Sequence, residues 1–251
     1  MITTMIFFPD KTHYEFPADY GFKHEDVSFQ TADGVKLHGW FLEAAKARGA
    51  ILFFHGNAGN ISGRLYKAKG WVERGFSVFL MDYRGYGLSE GKIEHGDDIL
   101  RDAHASLDWL VKAKNIPLSK IVLYGESLGT YPAIRLGAEN KTAAVVLEAP
   151  FTSFMDLGRL HYSLIPGLQI LLKDFEFLNQ DWILKLKAPL FILHGTRDEI
   201  CPYAMGEKLF DEAPEPKGFL SIENGAHNDL PMIAGQDYWD KPFQFLERHL
   251  I

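Results

Sequence analysis

The feature that most constrains this chain is a series of short, nearly continuous apolar runs that alternate with longer amphipathic segments. The runs are Ala50–Phe54, Phe76–Asp82, Ile121–Gly125, Ala143–Leu147, Pro189–His194 and Gly218–Ile222. Runs that are apolar at nearly every position are typical of strands covered on both faces, as in parallel sheets packed between helices. The amphipathic segments are Ser62–Arg74, Asp97–Lys114, Leu128–Glu139, Tyr203–Glu212 and Asp237–Leu250. This alternation predicts an α/β fold with right-handed crossovers.

Two further segments complete the predicted architecture. Glu25–Gln30 and Val35–Glu43, separated by Thr-Ala-Asp-Gly, have the pattern of an antiparallel hairpin, so we expect eight mostly parallel strands flanked by helices. Residues 151–187 lie between two strands and are longer than an ordinary connection, which predicts a small lid. The sequence contains no repeat and no flexible linker. We therefore expect a single domain over residues 1–251, with the lid inserted at 151–187.

Composition and charge exclude several classes of protein. The 251 residues are 47% apolar and 24% charged, which is near the average for globular proteins and excludes a disordered or collagen-like chain. The net charge is −7 and no Lys/Arg cluster is present, so nucleic acid is not an expected partner. The single cysteine, Cys201, excludes an internal disulfide and fits a reducing compartment, so we expect a cytoplasmic protein.

The first nine residues leave one alternative open for location. Met1–Pro9 is apolar, but it has neither a basic segment nor a small-residue cleavage site, as a signal peptide would. No stretch of the chain reaches the roughly 18 consecutive apolar residues that a membrane helix needs. We expect an N-terminal strand or a tucked-in arm. The alternative is a shallow membrane contact, or the remnant of a removed anchor, which would make the protein membrane-associated.

The pattern Gly-x-Ser-x-Gly occurs twice, at Gly87–Gly91 and at Gly125–Gly129. In a nucleophile elbow a strand runs directly into the serine and a helix leaves directly from it, and the glycines leave room where the two pass closely. Ser127 has a predicted strand before it and a predicted helix after it. Ser89 lies in a glycine-punctuated loop and is expected only to shape that loop. We predict that Ser127 is the nucleophile.

A serine hydroxyl is a weak nucleophile and needs a base that a carboxylate orients, and on this kind of scaffold the chain order is serine, acid, histidine. His227 lies in a loop directly after a strand, where its ring could reach over the sheet edge. Of the other histidines that follow Ser127, His161 falls in the lid, His194 at a strand end and His249 near the C-terminus. His227 is therefore the predicted base.

The acid has more than one candidate. Asp198 lies in the loop after the strand Pro189–His194, with Glu199 next to it, and Glu148 ends an earlier strand. Glu148 is the main competitor, because a carboxylate one strand earlier could also reach the histidine. Asp198 is preferred, since it would place acid, base and nucleophile at the carboxyl ends of parallel strands, where open α/β sheets bind ligands.

Acyl transfer also needs hydrogen-bond donors where negative charge develops on the carbonyl oxygen. The backbone N–H of Leu128, at the start of the helix after Ser127, is one expected donor. The second is expected from the loop that follows the first parallel strand, which reads His55-Gly-Asn-Ala-Gly-Asn60. Asn57 is the preferred residue there, and the alternative is a plain turn rich in Asn and Gly.

Together these motifs resemble the α/β-hydrolase superfamily, from about Val27 to the C-terminus. The resemblance rests on His55-Gly-Asn-Ala-Gly-Asn60, Asp82-Tyr-Arg-Gly-Tyr-Gly-Leu-Ser89, Gly125-Glu-Ser-Leu-Gly129, Gly195-Thr-Arg-Asp198 and Gly225-Ala-His227. The chain is most similar to small-lid serine hydrolases, which include membrane-anchored protein depalmitoylases, monoacylglycerol lipase-like enzymes and serine aminopeptidases. The resemblance implies a Ser127–Asp198–His227 triad with Asn57 and Leu128 in the oxyanion hole. Relatives often have valine where this chain has Cys201, which we interpret as a packing substitution.

The sequence therefore predicts a serine hydrolase that cleaves a small acyl ester or thioester through an acyl-enzyme. A peptidase or amidase of the serine aminopeptidase type, or a non-catalytic binding protein on this scaffold, are the alternatives. No His/Cys/Asp group has metal-ligand spacing and no Gly-x-Gly-x-x-Gly follows a strand, so neither a metal nor an organic cofactor is predicted. Apolar lid residues could line an acyl pocket or simply pack on the sheet: Phe151, Phe154, Leu164, Ile165, Leu168, Leu171 and Leu172.

Overall fold

The strands of the computed structural model, which describes residues 3–165, 167, 170 and 172–249, form one large sheet and one small sheet. In chain order they are β1 (Phe8–Pro9), β2 (His24–Gln30), β3 (Lys36–Leu42), β4 (Gly49–Phe54), β5 (Ala58–Gly59), β6 (Phe76–Asp82), β7 (Ile121–Glu126), β8 (Ala144–Glu148), β9 (Leu190–Gly195) and β10 (Lys217–Ile222). The large sheet has eight strands in the order β10-β9-β8-β7-β4-β6-β3-β2. Strand β3 is antiparallel to both β2 and β6, and the other neighbouring pairs are parallel. The predicted α/β-hydrolase sheet is confirmed.

Helices cover both faces of this sheet. They are α1 (Thr3–Ile6), α2 (Leu65–Glu73), α3 (Gly96–Lys112), α4 (Thr130–Glu139), α5 (Phe154–His161), α6 (Asn179–Ile183), α7 (Tyr203–Glu212), α8 (Leu230–Ala234) and α9 (Asp237–His249). Short 3-10 helices cover Pro17–Tyr20, Ile61–Arg64, Leu118–Lys120 and Ser127–Gly129. Among the residues that the structure describes, no helix has the length and apolar character needed to cross a membrane.

The core lies on both sides of the large sheet, which explains why the strands are apolar at nearly every position. In β4, Leu52 and Phe54 belong to the cluster that includes α3 and α4. Ile51 and Phe53 point the other way and belong to the cluster that includes α2 and α9. Side chains alternate faces along a strand, so a strand covered on both faces must be apolar at odd and even positions alike.

The predicted strands match the observed ones to within one residue at each end, whereas two helix starts differ. Helix α4 begins at Thr130 rather than at Leu128, because Ser127–Gly129 first forms a tighter 3-10 turn. Helix α2 begins at Leu65 rather than at Ser62, because a 3-10 turn capped by the Asn60 side chain precedes it. Both differences lie at the carboxyl ends of central strands, where backbone geometry is set by the site.

Residues 3–16 form an N-terminal arm that lies against the loop after β4. Strand β1 pairs in parallel with β5, and the Asp10 N–H donates to the Gly59 carbonyl at 3.1 Å. Of Met1–Pro9, expected to form a strand or a tucked-in arm, Thr3–Ile6 is helical and only Phe8–Pro9 is a strand, while Met1 and Ile2 lie outside the described part of the chain. The small second sheet was not expected, because two-residue strands have no periodicity that a sequence pattern could reveal.

The segment 151–187, predicted as a lid, contains α5 and α6. Its apolar residues divide into two groups. Phe151 and Leu172 are buried in the core, and Phe154 packs against it, whereas Leu164 is 93% exposed and Ile165 is 39% exposed. Leu168 and Leu171 lie outside the described residues.

Candidate active site

Ser127 lies on a sharp turn between β7 and α4, in the conformation expected of a nucleophile elbow. Its φ is +50°, a left-handed value that a non-glycine residue adopts only when the surroundings impose it. The glycines on either side permit that turn. A Cβ on Gly125 would lie 2.4 Å from the Gly129 carbonyl oxygen, and one on Gly129 would lie 2.0 Å from the Phe54 carbonyl oxygen. Strand, turn and helix therefore pass one another too closely for any side chain.

His227 connects Ser127 to Asp198 across the edge of the sheet. Its Nδ1 lies 2.7 Å from Asp198 Oδ2 and its Nε2 lies 3.0 Å from Ser127 Oγ. A carboxylate only accepts hydrogen bonds, so Nδ1 carries the proton and donates it toward Asp198. Nε2 of the neutral ring then has a free lone pair and accepts from the Ser127 hydroxyl. In this tautomer the imidazole is placed to take the serine proton.

The carboxylate of Asp198 is held by fixed donors as well as by His227. Its Oδ1 accepts from the backbone N–H groups of Ile200 at 2.9 Å and Cys201 at 2.8 Å. His194 Nε2 lies 3.4 Å from Oδ2. Burial alone would raise the pKa of Asp198, but hydrogen bonds to His194 and His227 hold the pKa of this carboxyl well below its usual range. Asp198 is therefore an anion at neutral pH.

His194 was considered only as a candidate base, and its contact with Asp198 was not anticipated. It is the next-to-last residue of β9 and is fully buried, with Nε2 2.8 Å from the Cys201 carbonyl oxygen. The sequence signal that could have indicated this contact was the position of His194, four residues before Asp198 and near the carboxyl end of β9. His194 thus helps to fix the turn that presents the acid.

Backbone hydrogen bonds tie the acid loop to the histidine loop. The Arg197 N–H donates to the Gly225 carbonyl at 2.9 Å, and the Asn224 N–H donates to Thr196 Oγ1 at 2.9 Å. Gly195 is packed so tightly that a Cβ there would lie 2.3 Å from the Gly225 carbonyl oxygen. These contacts fix the separation of Asp198 and His227 independently of their own hydrogen bond.

The loop with Asn57 lies beside the elbow, because β4 pairs with β7 and places Phe54 opposite Gly125. The Asn57 side chain is already engaged: Nδ2 donates to the Ile6 carbonyl at 2.6 Å, and the Tyr86 hydroxyl donates to Oδ1 at 3.0 Å. Its backbone N–H is therefore the group that could serve a ligand. Leu128 is the second residue of the 3-10 turn, so its N–H belongs to the first turn, which has no partner within the helix.

The structure keeps Glu148, the main competitor for the acid, away from His227. Its carboxylate instead accepts from Lys67 Nζ at 2.9 Å and from the hydroxyls of Tyr124 at 2.8 Å and Tyr238 at 2.6 Å. Glu199, the other rival, is exposed beside Asp198. Asp198 is the carboxylate that the fold brings to the histidine.

Ser89, the serine of the second motif, is buried, and its hydroxyl is engaged in hydrogen bonds to the backbone. Its hydroxyl donates to the Asp82 carbonyl at 2.7 Å and accepts from the His38 N–H at 2.9 Å. Its expected role in shaping the loop after β6 is confirmed. Cys201 is also buried, in the core cluster beside Asp198, and burial raises the pKa of its thiol well above the usual range. Its interpretation as a packing residue is confirmed.

A buried charged network behind the elbow was not anticipated. Glu126, the residue before Ser127, accepts from Arg64 at 2.8 Å and from Lys67 at 2.9 Å. Arg64 also donates to the Ala58 carbonyl at 2.9 Å. Burial alone would raise the pKa of Glu126, but the charges of Arg64 and Lys67 hold it well below its usual range. The network joins the elbow to the loop that contains Asn57.

The fold and the site define an α/β hydrolase, and comparison with known proteins narrows the class. A family described as "Serine aminopeptidase, S33" matches residues 45–182, which is more than half of the chain. An uncharacterised protein of Mycobacterium tuberculosis is 34% identical over 224 residues, covering 88% of this chain and 78% of the relative. The α/β hydrolase domain-containing protein WAV2 of Arabidopsis thaliana is 34% identical over 255 residues, covering 93% and 82%. The chain belongs to this family of α/β hydrolases.

Solved structures show the same fold at lower sequence identity. The Pyrococcus furiosus esterase Pf2001 superposes with a TM-score of 0.81 at 21% identity, covering 97% of this chain and 100% of the esterase. An acetyl xylan esterase from Paenibacillus superposes with a TM-score of 0.75 at 18% identity, covering 90% and 84%.

Proposed function

We propose that this protein is a serine hydrolase that cleaves carboxylic esters or thioesters of small acyl substrates through an acyl-enzyme. The observation that carries the proposal is the continuous chain from the strained Ser127 through His227 to Asp198, with contacts of 3.0 Å and 2.7 Å. A hydroxyl, an imidazole and a buried carboxylate in this order are the parts that acyl transfer requires.

The reaction has two halves. His227 Nε2 takes the Ser127 proton as Oγ attacks the carbonyl carbon, and the resulting imidazolium returns that proton to the leaving alcohol or thiol. Water then attacks the acyl-enzyme with His227 again as base, and the acid is released as Ser127 regains its proton. Asp198 holds the ring in its tautomer and stabilises the imidazolium in both halves.

The backbone N–H groups of Leu128 and Asn57 are the proposed donors to the oxyanion. Both lie just beyond the carboxyl end of the β4–β7 pair, in the segments that follow these two strands. Such fixed donors stabilise the charge that develops in the transition state, and each contributes about 10²–10³-fold in rate. The Asn57 side chain holds its loop through Ile6 and Tyr86 rather than reaching the oxyanion.

Esters and thioesters are the favoured substrates. Two solved proteins of the same fold are themselves named esterases, which supports this choice of bond. Phe151 and Leu172 are buried in the core, so they contribute packing and leave the acyl pocket to other residues. We therefore favour short to medium acyl groups over long chains.

Replacing Ser127 tests the proposal. Ser127→Ala should lower kcat for a p-nitrophenyl acyl ester about 10⁴-fold or more and abolish labelling by a fluorophosphonate. Ser119→Ala is the matched control, since Ser119 is exposed before β7, at the opposite end of the strand from the elbow. Full activity and labelling of Ser127→Ala would refute the proposal. A folded wild-type chain that no phosphonate labels would favour a non-catalytic binding protein.

An aminopeptidase is the second candidate, and a cavity beside His227 favours it. The cavity, of about 490 Å³, is lined by the exposed carboxylate of Glu199 among other polar groups. A carboxylate in a cavity that His227 also lines is a suitable partner for the free α-ammonium group of a peptide, and the family is described as serine aminopeptidases.

Side-by-side assays separate the two candidates. Acyl esters, thioesters and aminoacyl nitroanilides are compared by kcat/KM on the same preparation. If the protein is an aminopeptidase, Glu199→Gln should raise KM for a free aminoacyl nitroanilide about tenfold and leave the N-blocked derivative unchanged. Preference for esters with no effect of Glu199→Gln would support the esterase.

A further inference from the structure

Three histidines surround the carboxylate of Asp82, which ends β6 at the same edge of the sheet as Ser127. His13 Nε2 lies 3.3 Å and His38 Nδ1 lies 4.0 Å from Asp82 Oδ2, while His55 Nε2 lies 3.4 Å from Oδ1. The Asp82 side chain is fully buried, and those of His13 and His38 are 5% and 9% exposed. The three histidines come from the N-terminal arm, from β3 and from the residue after β4.

The hydrogen bond between His38 and Asp26 determines which nitrogen of the His38 ring faces Asp82. His38 Nε2 lies 2.5 Å from Asp26 Oδ1. A carboxylate only accepts, so Nε2–H donates outward to Asp26, and Nδ1 is the nitrogen whose lone pair the neutral ring offers to a metal ion. Nδ1 is buried and has no hydrogen-bond partner among the described residues. Nδ1 thus faces a buried carboxylate oxygen across 4.0 Å, which is too long for an N–H···O hydrogen bond and which a bound cation would bridge.

The residues have the chemistry and spacing of a metal site. Two imidazoles and one carboxylate form a common ligand set for Zn²⁺, and a carboxylate on the outer nitrogen of a ligating histidine is the usual second-shell partner. The three ligand atoms of His13, His38 and Asp82 all lie within 4.8 Å of one another. Tetrahedral Zn²⁺ places such atoms about 3.3 Å apart, given bonds of about 2.0 Å. The distance from His13 Nε2 to Asp82 Oδ2, 3.3 Å, already matches, and the distance from His38 Nδ1 to Asp82 Oδ2, 4.0 Å, must shorten by about 0.7 Å.

Residues of the second Gly-x-Ser-x-Gly motif, Gly87–Gly91, line this site. Gly87 has a φ of +46°, and a Cβ there would lie 1.9 Å from Asp82 Oδ2 and 2.7 Å from His13 Nε2. Ser89 bonds both to the Asp82 carbonyl and to the His38 N–H. The motif that does not supply a nucleophile therefore leaves space at the ligand atoms and holds two of the three ligand residues in place.

We propose that His13 Nε2, His38 Nδ1 and Asp82 Oδ2 bind one divalent zinc ion, with water in the fourth position. The local spacing of the sequence contained no metal motif, because the ligands come from three segments that meet only in the folded chain. The ion would fasten residues 10–13 of the arm to β3 and β6. Elsewhere these residues are held by hydrogen bonds, such as those from Asn60 Nδ2 to the carbonyls of Asp10 and Thr12.

Zinc uptake by the full chain, purified without a histidine tag, tests the proposal. Wild-type apoprotein should bind one Zn²⁺ per chain by calorimetric titration and metal analysis, and the ion should raise Tm. His13→Ala should lose this binding. His24→Ala is the matched control, because His24 is an exposed histidine outside the cluster, and it should bind like wild type.

Two further variants keep the result interpretable. Asp26→Ala changes a side chain that is 68% exposed, so the chain should fold, while zinc affinity should fall about ten- to a hundredfold through loss of the outer partner of His38. His227→Ala should retain the stoichiometric zinc, which places the ion away from the active site. The proposal is overturned if wild-type protein takes up no zinc, or if His13→Ala and Asp26→Ala bind zinc as tightly as wild type.

Discussion

The close packing of Gly129 against β4 makes a sharp prediction about the elbow. Gly129 has φ −64° and ψ −13°, values that alanine adopts freely, so Gly129→Ala introduces no backbone strain. Its new Cβ would lie 2.0 Å from the Phe54 carbonyl oxygen, whereas ordinary contact begins at 3.4 Å. The turn must therefore move by about 1.4 Å, the difference between the two distances, and it carries Ser127 and the Leu128 N–H with it.

The size of the effect follows from that displacement. A misplacement of about 1 Å at reacting groups costs about a hundredfold in rate, which is about 2.7 kcal/mol in the activation free energy. Overpacking of a filled interior also lowers the free energy of unfolding by about 1–3 kcal/mol. We expect Gly129→Ala to lower kcat/KM for an acyl ester about a hundredfold at temperatures where the variant is still folded.

The assay compares kcat/KM, phosphonate labelling rate and urea unfolding for wild type and two variants. Gly63→Ala is the matched control, because Gly63 also lies in a 3-10 turn and a Cβ there would meet nothing within 4 Å. It should keep wild-type activity and gain slightly in stability, as alanine restricts the unfolded chain. Wild-type kcat/KM in folded Gly129→Ala would refute the view that this contact positions the elbow.

Three other changes test the surroundings of the site. Asp198→Asn should lower kcat for ester hydrolysis about 10⁴-fold. Because the pKa of Asp198 is lower in the folded state than its ordinary value of 3.8, its carboxylate stabilises the fold above about pH 4, and this is lost as the pH falls through the folded-state pKa. Urea unfolding from about pH 7 to about pH 3 should therefore decline less for Asp198→Asn, and equal declines would contradict this. Glu148→Gln should leave phosphonate labelling intact but lower the free energy of unfolding by about 3 kcal/mol, because it removes a charge buried beside Lys67, and loss of labelling in a folded variant would place Glu148 in the site. The thiol of Cys201 should resist a thiol reagent until the protein is unfolded, since burial raises its pKa, and rapid modification of the native protein would be the contrary result.

Much of the fold was predictable because each central strand is covered on both faces and is therefore apolar at nearly every position. Strand β6 is buried at all its positions, and its sequence from Phe76 to Met81 is correspondingly apolar except at Ser77. The elbow was predictable for a related reason. Gly125 and Gly129 are required by contacts with the turn itself and with the adjacent strand, so the requirement appears within five consecutive residues.

The sequence favoured Asp198 as the acid but left Glu148 open as the alternative. Glu148 ends β8 and Asp198 lies in the loop after β9, and these two parallel strands are neighbours. Hydrogen bonds from Lys67, Tyr124 and Tyr238 hold the Glu148 carboxylate away from His227. These three residues come from two helices and a strand that are distant from Glu148 in the sequence. The packing of α2 and α9 against the sheet supplies Lys67 and Tyr238, and the pairing of β7 with β8 supplies Tyr124.

The sequence by itself determined the order of the strands along the chain, the elbow at Ser127 and the loops in which the acid and base lie, because these depend on short-range patterns. The tertiary structure alone decided which carboxylate meets His227, how Arg64 and Glu126 join the elbow to the Asn57 loop, and that His13, His38 and Asp82 converge. Each of these depends on which strands become neighbours and on which backbone groups already satisfy a side chain. Contacts between side chains that are distant in the sequence depend on the whole fold, and no local pattern of residues predicts them.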